Sequence, residues 1–147
     1  SADIFDLLTR EEFYLRWVPL LEVQKKMPDR SSYSKYDSPL AGARYLHYKM
    51  FTSTSKNSYS ITLVDRGPVE NSNEIYSEIE TIELRISPSK KEGWSNVDFD
   101  FTIKPNGEMS SALAKKALEQ WPKYYFWAML NELQRVNKLT KGAYSHF

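Results

Sequence analysis

Residues 94–107 read WSNVDFDFTIKPNG, with Val97, Phe99, Phe101 and Ile103 alternating with Asn96, Asp98, Asp100 and Thr102. A period of two, apolar on one side and polar on the other, predicts a half-buried antiparallel strand. Pro105, Asn106 and Gly107 end it, because proline presets φ for a turn while Asn and Gly tolerate positive φ. Upstream, residues 43–51 (ARYLHYKMF) predict a strand with mixed faces. Tyr59, Ile61 and Leu63 alternate with Ser60 and Thr62 and predict its hairpin partner. Residues 75–86 predict a third strand, in which Ile75, Ser77 and Ile79 have the opposite parity to Ile82, Leu84 and Ile86. One unbroken register would expose one of these sets, so the pattern predicts a bulge near Glu80 and Thr81.

The period changes toward both ends. Thr9 and Glu12 have the spacing of a capping box, and Leu8 and Phe13 sit where a hydrophobic staple lies. Phe13, Trp17, Leu20 and Leu21 continue at helical spacing and predict a helix over residues 10–26, kinked or split at Pro19. Residues 27–42 (MPDRSSYSKYDSPLAG) read as a long polar loop. After Gly107, Glu108 and Met109 suit a short strand, and Ser110 and Ser111 suit a helix cap. Trp121 and Pro122 interrupt that helix, and Tyr125, Phe126, Met129, Leu130, Leu133 and Val136 stripe a second one that Gly142 would stop. The expected architecture is α+β: one antiparallel sheet of about four strands with N-terminal and C-terminal helices over one face, in a single domain over residues 1–147.

Composition narrows the function. Of the 147 residues 41% are hydrophobic and 27% charged, the balance of a globular chain. The aromatic share of 14% exceeds the need of a small core and points to an interface or a pocket. A net charge of +1 gives no global field for nucleic acid or a membrane surface. No apolar run approaches the roughly 18 residues of a membrane span, and the acidic start SADIFDLLTREEF is unlike a signal peptide. The absence of cysteine removes disulfides and thiolate chemistry and suits a cytoplasmic protein.

Catalytic constellations are sparse. His47 and His146 are the only histidines, no G-x-S-x-G elbow accompanies them, and His47 reads as an ordinary strand residue. Asp98 and Asp100 lie side by side on the wet face of their strand, where they could hold a cation or do acid–base work but more simply form a solvated face. Neither a zinc set nor a glycine-rich phosphate loop is present. The expectation is a protein without cofactor or metal that is not an enzyme. Between residues 65 and 83 run Asp65, Glu70, Glu74, Glu78, Glu80 and Glu83 against Arg66 alone. Such a run suits a basic partner surface, or an edge strand guarded by charge. Tyr36, in the loop over residues 27–42, and Trp127, beside the helical stripe, are candidate interface anchors, or pack within the fold.

Trp94, Ser95, Phe99, Asp100, Phe101 and Thr102, followed by Asn106, Gly107, Glu108 and Met109, form a pattern that resembles the YezG-like antitoxins, bacterial immunity proteins that neutralise nuclease toxins. The resemblance implies a protein that blocks the active site of a toxin domain. On that reading Glu74, Glu78 and Glu80 would meet a basic toxin surface and Tyr36 and Trp127 would anchor it. The alternative is a small-molecule-binding or enzymatic α+β domain with an aromatic-lined pocket between sheet and helix.

Overall fold

The computed structural model describes residues 2–38, 42–107 and 111–144. In chain order it holds α1 (Ala2–Thr9), a 3₁₀ turn (Glu11–Phe13), α2 (Tyr14–Trp17), β1 (Leu21–Lys26), β2 (Ser32–Ser38), β3 (Gly42–Ser55), β4 (Ser58–Asp65), β5 (Ser77–Pro88), β6 (Ser95–Pro105) and α3 (Ser111–Tyr144). The strands form one antiparallel meander in the order β1-β2-β3-β4-β5-β6. The fold is α+β as expected, but the sheet has six strands rather than about four.

The two extra strands come from segments that read as helix and loop. Proline disfavours the helical region for the residue before it, and Val18 is accordingly extended, with ψ at 124°. Leu20 then takes a positive φ of 65°, which reverses the chain into β1. The expected helix over residues 10–26 therefore stops at Trp17. The expected capping box is not made, since the Thr9 hydroxyl donates to the Phe5 carbonyl and no side chain caps the turn that follows. The expected loop over residues 27–42 contains β2, paired regularly with β3 from Ser32↔Tyr48 to Ser38↔Gly42. Serines hold two of its three buried positions, Ser32 and Ser34, so it carries no apolar alternation.

The bulge on β5 is present. The register shifts between Ile79 and Thr81, leaving Glu80 and Thr81 exposed while Ile79 and Ile82 both turn inward. On β6, Val97, Phe99, Phe101 and Ile103 face inward and Asp98 and Asp100 outward, as the alternation predicts. The inward row is only half-buried, because β6 pairs with β5 alone and forms the sheet edge.

The C-terminal segment is one helix of 34 residues with Pro122 inside it, rather than two helices, and it continues through Gly142. The short strand at Glu108 and Met109, the Ser110 cap and His146 lie outside the described residues. Leu8, Tyr14, Trp17 and Val18 from the N-terminal segment and Tyr125 and Met129 from α3 join Leu46, Tyr48, Ile61, Ile82, Leu84 and Ile86 of the sheet in one core. Trp17 meets Tyr125 with ring centroids 5.3 Å apart, which links the N-terminal helices to α3 over the same face. Among the described residues, no helix is long and apolar enough to cross a membrane.

Candidate functional site

Between this inner face of the sheet and α3 lies a cavity of ≈ 40 Å³. Leu46, Tyr48 and Met50 reach it from β3, Ile61 and Leu63 from β4, and Ile82 and Leu84 from β5. Period-two spacing puts each set on one face of its strand. Trp121 and Tyr125 close it from α3, one turn apart and stacked at 5.0 Å. Phe99, also in the lining, stacks on Tyr125 at 5.8 Å.

A buried polar cluster adjoins this apolar space behind Tyr48. The Ser34 hydroxyl lies 3.0 Å from the Tyr48 hydroxyl and also donates to the Gln24 side-chain carbonyl. Ser32 donates to Glu11 Oε1 at 2.6 Å, and Lys26 Nζ meets Glu11 Oε2 at 2.6 Å. Ser32 and Ser34 are fully buried, so these bonds satisfy groups that water cannot reach. Desolvation raises the Tyr14, Tyr36, Tyr48 and Tyr125 phenols well above the ordinary tyrosine value, so the cavity walls stay neutral.

Arg44 sits two residues along β3 from Leu46, on the same face, and pairs in register with Tyr36. It is buried, and desolvation lowers its pKa. Its Nε donates to the Asn106 carbonyl at 2.8 Å, while its buried Nη1 has no hydrogen-bond partner among the described residues.

The five residues expected to bind a partner do not converge. Tyr36 is not a loop anchor: it lies on β2, lines the cavity and meets Trp121 edge-on at 5.8 Å. Trp127 is 67% exposed on α3, away from that lining. Glu74, Glu78 and Glu80 are exposed, and Glu74 pairs with Lys35 at 3.0 Å. Asp100, on the edge strand, pairs with Arg85 at 2.8 Å. His47 lies on the other face of the sheet, 2.6 Å from the Ser31 hydroxyl and 2.9 Å from the Gly67 carbonyl. Ser31 is 0% exposed, so this Ser–His pair ties a turn and a loop to the sheet without presenting a hydroxyl to solvent. Glu11, in the 3₁₀ turn, and Gln24, Ser32, Ser34 and Arg44 carry no sequence signal as site residues; the placement of the last four on β1, β2 and β3 becomes meaningful once the inner face is known.

No protein-family model matches the chain, and no curated protein matches it in sequence. Solved structures do match it in shape. Human STARD10 superposes with a TM-score of 0.77 over 100% of this chain at 13% identity. The chain shares its fold with StAR-related lipid transfer proteins. Human StAR-related lipid transfer protein 5 matches with a TM-score of 0.79 over 92% of this chain and 71% of its own, at 9% identity. A STAR-related lipid transfer protein from Xanthomonas axonopodis matches with a TM-score of 0.69 over 90% of this chain and 78% of its own, at 16% identity. The chain spans 63% of the STARD10 chain.

These matches overturn the antitoxin resemblance, the immunity function and the toxin partner. The resemblance rests on residues 94–109, whereas the structural matches cover 90–100% of the chain. Its alternating aromatics have a local cause: they are the inward row of β6, stacked on Trp121, Tyr125 and Phe126 of α3. Any strand with one helix-covered face generates that pattern.

Proposed function

We propose that the protein binds a small hydrophobic molecule of the lipid class between the sheet and α3, as a single domain and without transforming it. The observation that carries the reading is the cavity walled by apolar and neutral aromatic side chains, set between sheet and helix. The lipid transfer fold supports it, because two of the matching proteins are named for lipid transfer. At ≈ 40 Å³ the space is far below the roughly 300–1,000 Å³ of ligand pockets. An acyl chain would need the lining to part, with α3 moving relative to the sheet. A cytoplasmic location, consistent with the cysteine-free sequence, is part of the same proposal.

Titration with an environment-sensitive fluorescent acyl chain tests the reading. The wild type should bind saturably and shift the emission of Trp121, which stands in the cavity wall. Ile61→Phe, which fills the space from a buried position, should weaken binding at least about 10-fold, while Trp127→Ala should not. Non-saturable binding, or equal affinity in Ile61→Phe, would sink the proposal.

A further inference from the structure

Four residues on the outer face of the sheet form one file of hydrogen-bonding groups. The Gly67 carbonyl lies 2.9 Å from His47 Nδ1. His47 Nε2 lies 2.6 Å from the Ser31 hydroxyl, and that hydroxyl lies 2.5 Å from Asp29 Oδ1. The file joins parts of the chain that are far apart in sequence. Asp29 and Ser31 stand in the turn between β1 and β2, His47 stands on β3, and Gly67 belongs to the connection over residues 66–76 between β4 and β5. The Arg66 amide of that connection also donates to the His47 backbone carbonyl at 2.8 Å.

Three contacts need three hydrogens. Both ends of the file accept only, one as a carbonyl and the other as a carboxylate. The Ser31 hydroxyl supplies one hydrogen and a neutral imidazole supplies another, which leaves one contact with none. An imidazolium supplies two, and the count closes. Asp29 does not provide the missing hydrogen, because bonds from the Ser31 hydroxyl and amide hold its carboxyl below the usual carboxylate range. Ser31 is fully buried, so water does not replace a lost contact at its hydroxyl.

The charges around the ring act in both directions. Asp29 reaches it through Ser31, whereas Asp65 spends its carboxylate on the Gly67 and Ile79 amides and the Tyr76 hydroxyl. Glu74, in the same connection, is taken by Lys35 at 3.0 Å. Three cations oppose a charge on His47. Arg66 Nη2 stands 3.9 Å from Asp29 Oδ2, Lys49 lies two residues on along β3, and Lys25 lies over the ring of Tyr33, the residue opposite His47 on β2. Against them stand three closed hydrogen bonds, each with an ionised partner, the stronger class of such bonds.

We propose that His47 is a pH-operated clasp: as an imidazolium it ties both the β1–β2 turn and the connection over residues 66–76 to the outer face of the sheet, and on losing a proton it releases one of them. Imidazole changes charge between about pH 5 and 8, which sets the range in which the clasp works. The folded chain holds a proton that the unfolded chain gives up, so the stabilisation is complete in mild acid and is lost as pH rises. The cavity lies on the other face, so the clasp does not depend on the hydrophobic-ligand reading.

The test uses ¹⁵N-histidine in a His146→Gln chain, which leaves His47 as the one labelled ring. At a pH where the ring of the urea-unfolded chain has lost its proton, folded His47 should still show two protonated nitrogens. As pH rises further, exchange of the Ser31 or the Arg66 amide should quicken by at least about threefold relative to the Leu84 amide of β5, the size of one net hydrogen bond. Asp29→Asn offers the file a hydrogen from its own amide, so a neutral ring then closes the count. In that variant His47 should lose its proton at the same pH folded and unfolded, and the pH-dependent exchange should vanish. If Asp29→Asn fails to fold, the comparison of the folded and unfolded ring still decides. A single protonated nitrogen in folded His47 wherever the unfolded ring is neutral overturns the clasp. So does a doubly protonated ring with no pH-dependent exchange, or an Asp29→Asn variant that keeps the wild-type response.

Discussion

Leu84 and Ile86 allow packing and ligand binding to be separated on one strand. Both face inward from β5, at 4% and 0% exposure. Leu84 lines the cavity, and Ile86 is not part of the lining. Truncating either to alanine removes three or so carbons, worth about 0.8 kcal/mol each, or about 2.4 kcal/mol in transfer. Every 40 Å³ of space left unfilled adds about 1 kcal/mol, so each variant should lose about 3–4 kcal/mol. In urea, with a slope of about 1–3 kcal/mol per molar, that lowers the unfolding midpoint by about 1–4 M. Ligand should then distinguish them. At a free concentration about 100 times Kd, a ligand adds about 2.7 kcal/mol to the wild type. Leu84→Ala enlarges the very space the ligand occupies, so ligand should restore a further part of its deficit, about 1 kcal/mol for each 40 Å³ refilled. Ile86→Ala should gain no more than the wild type. Identical ligand responses in the two variants would refute the assignment of the cavity as the binding space. A loss below about 1 kcal/mol for Leu84→Ala without ligand would show that the walls collapse around the missing side chain.

Two other outcomes follow from the same packing. Phe101 is half-buried and stacked on Trp121 at 5.2 Å, so Phe101→Ala should cost about 1.5–3 kcal/mol in urea unfolding rather than the 3–5 of a fully buried ring. A larger loss would mean that another chain covers the β6 edge in solution. Tyr14, Tyr36, Tyr48 and Tyr125 have folded pKa values above the unfolded value of about 10, so the stability they contribute is complete below that pH and lost as pH rises past it. Absorbance at the tyrosinate wavelength should show these four ionising together with alkaline unfolding. Their ionisation ahead of any loss of circular dichroism would contradict the burial.

Sequence legibility followed the polarity of the covered face. β4, β5 with its bulge, and β6 are visible because their inward positions hold Ile, Leu, Val and Phe. β2 is invisible because Ser32 and Ser34 occupy buried positions on its inner face, where they serve Glu11 and Tyr48. β1 is hidden by a coincidence of spacing: Phe13, Trp17, Leu20 and Leu21 fall at helical intervals, but Pro19 and the positive φ of Leu20 separate them into two elements. The site was legible only in outline. An aromatic-lined pocket between sheet and helix is written in the composition and in the α3 stripe, and Tyr36 belongs to it as wall rather than anchor. Arg44 could not be read, because a single arginine in a strand of mixed faces has no direction until the register fixes which face is covered.

The sequential strand order also sets the timing of synthesis. Each strand pairs with its neighbours in the chain, so each of the five strand pairings closes a short loop at small entropic cost. A nascent chain can complete the sheet before α3 has left the ribosome. At about 5–20 residues per second, the 34 residues of α3 take about 2–7 s to make. During that interval the inner rows of β3 to β6 face water with α3 absent, and the long closure that joins Trp17 to Tyr125 has not formed. The newborn protein therefore passes through a defined period in which chaperone capture or aggregation competes with docking of α3.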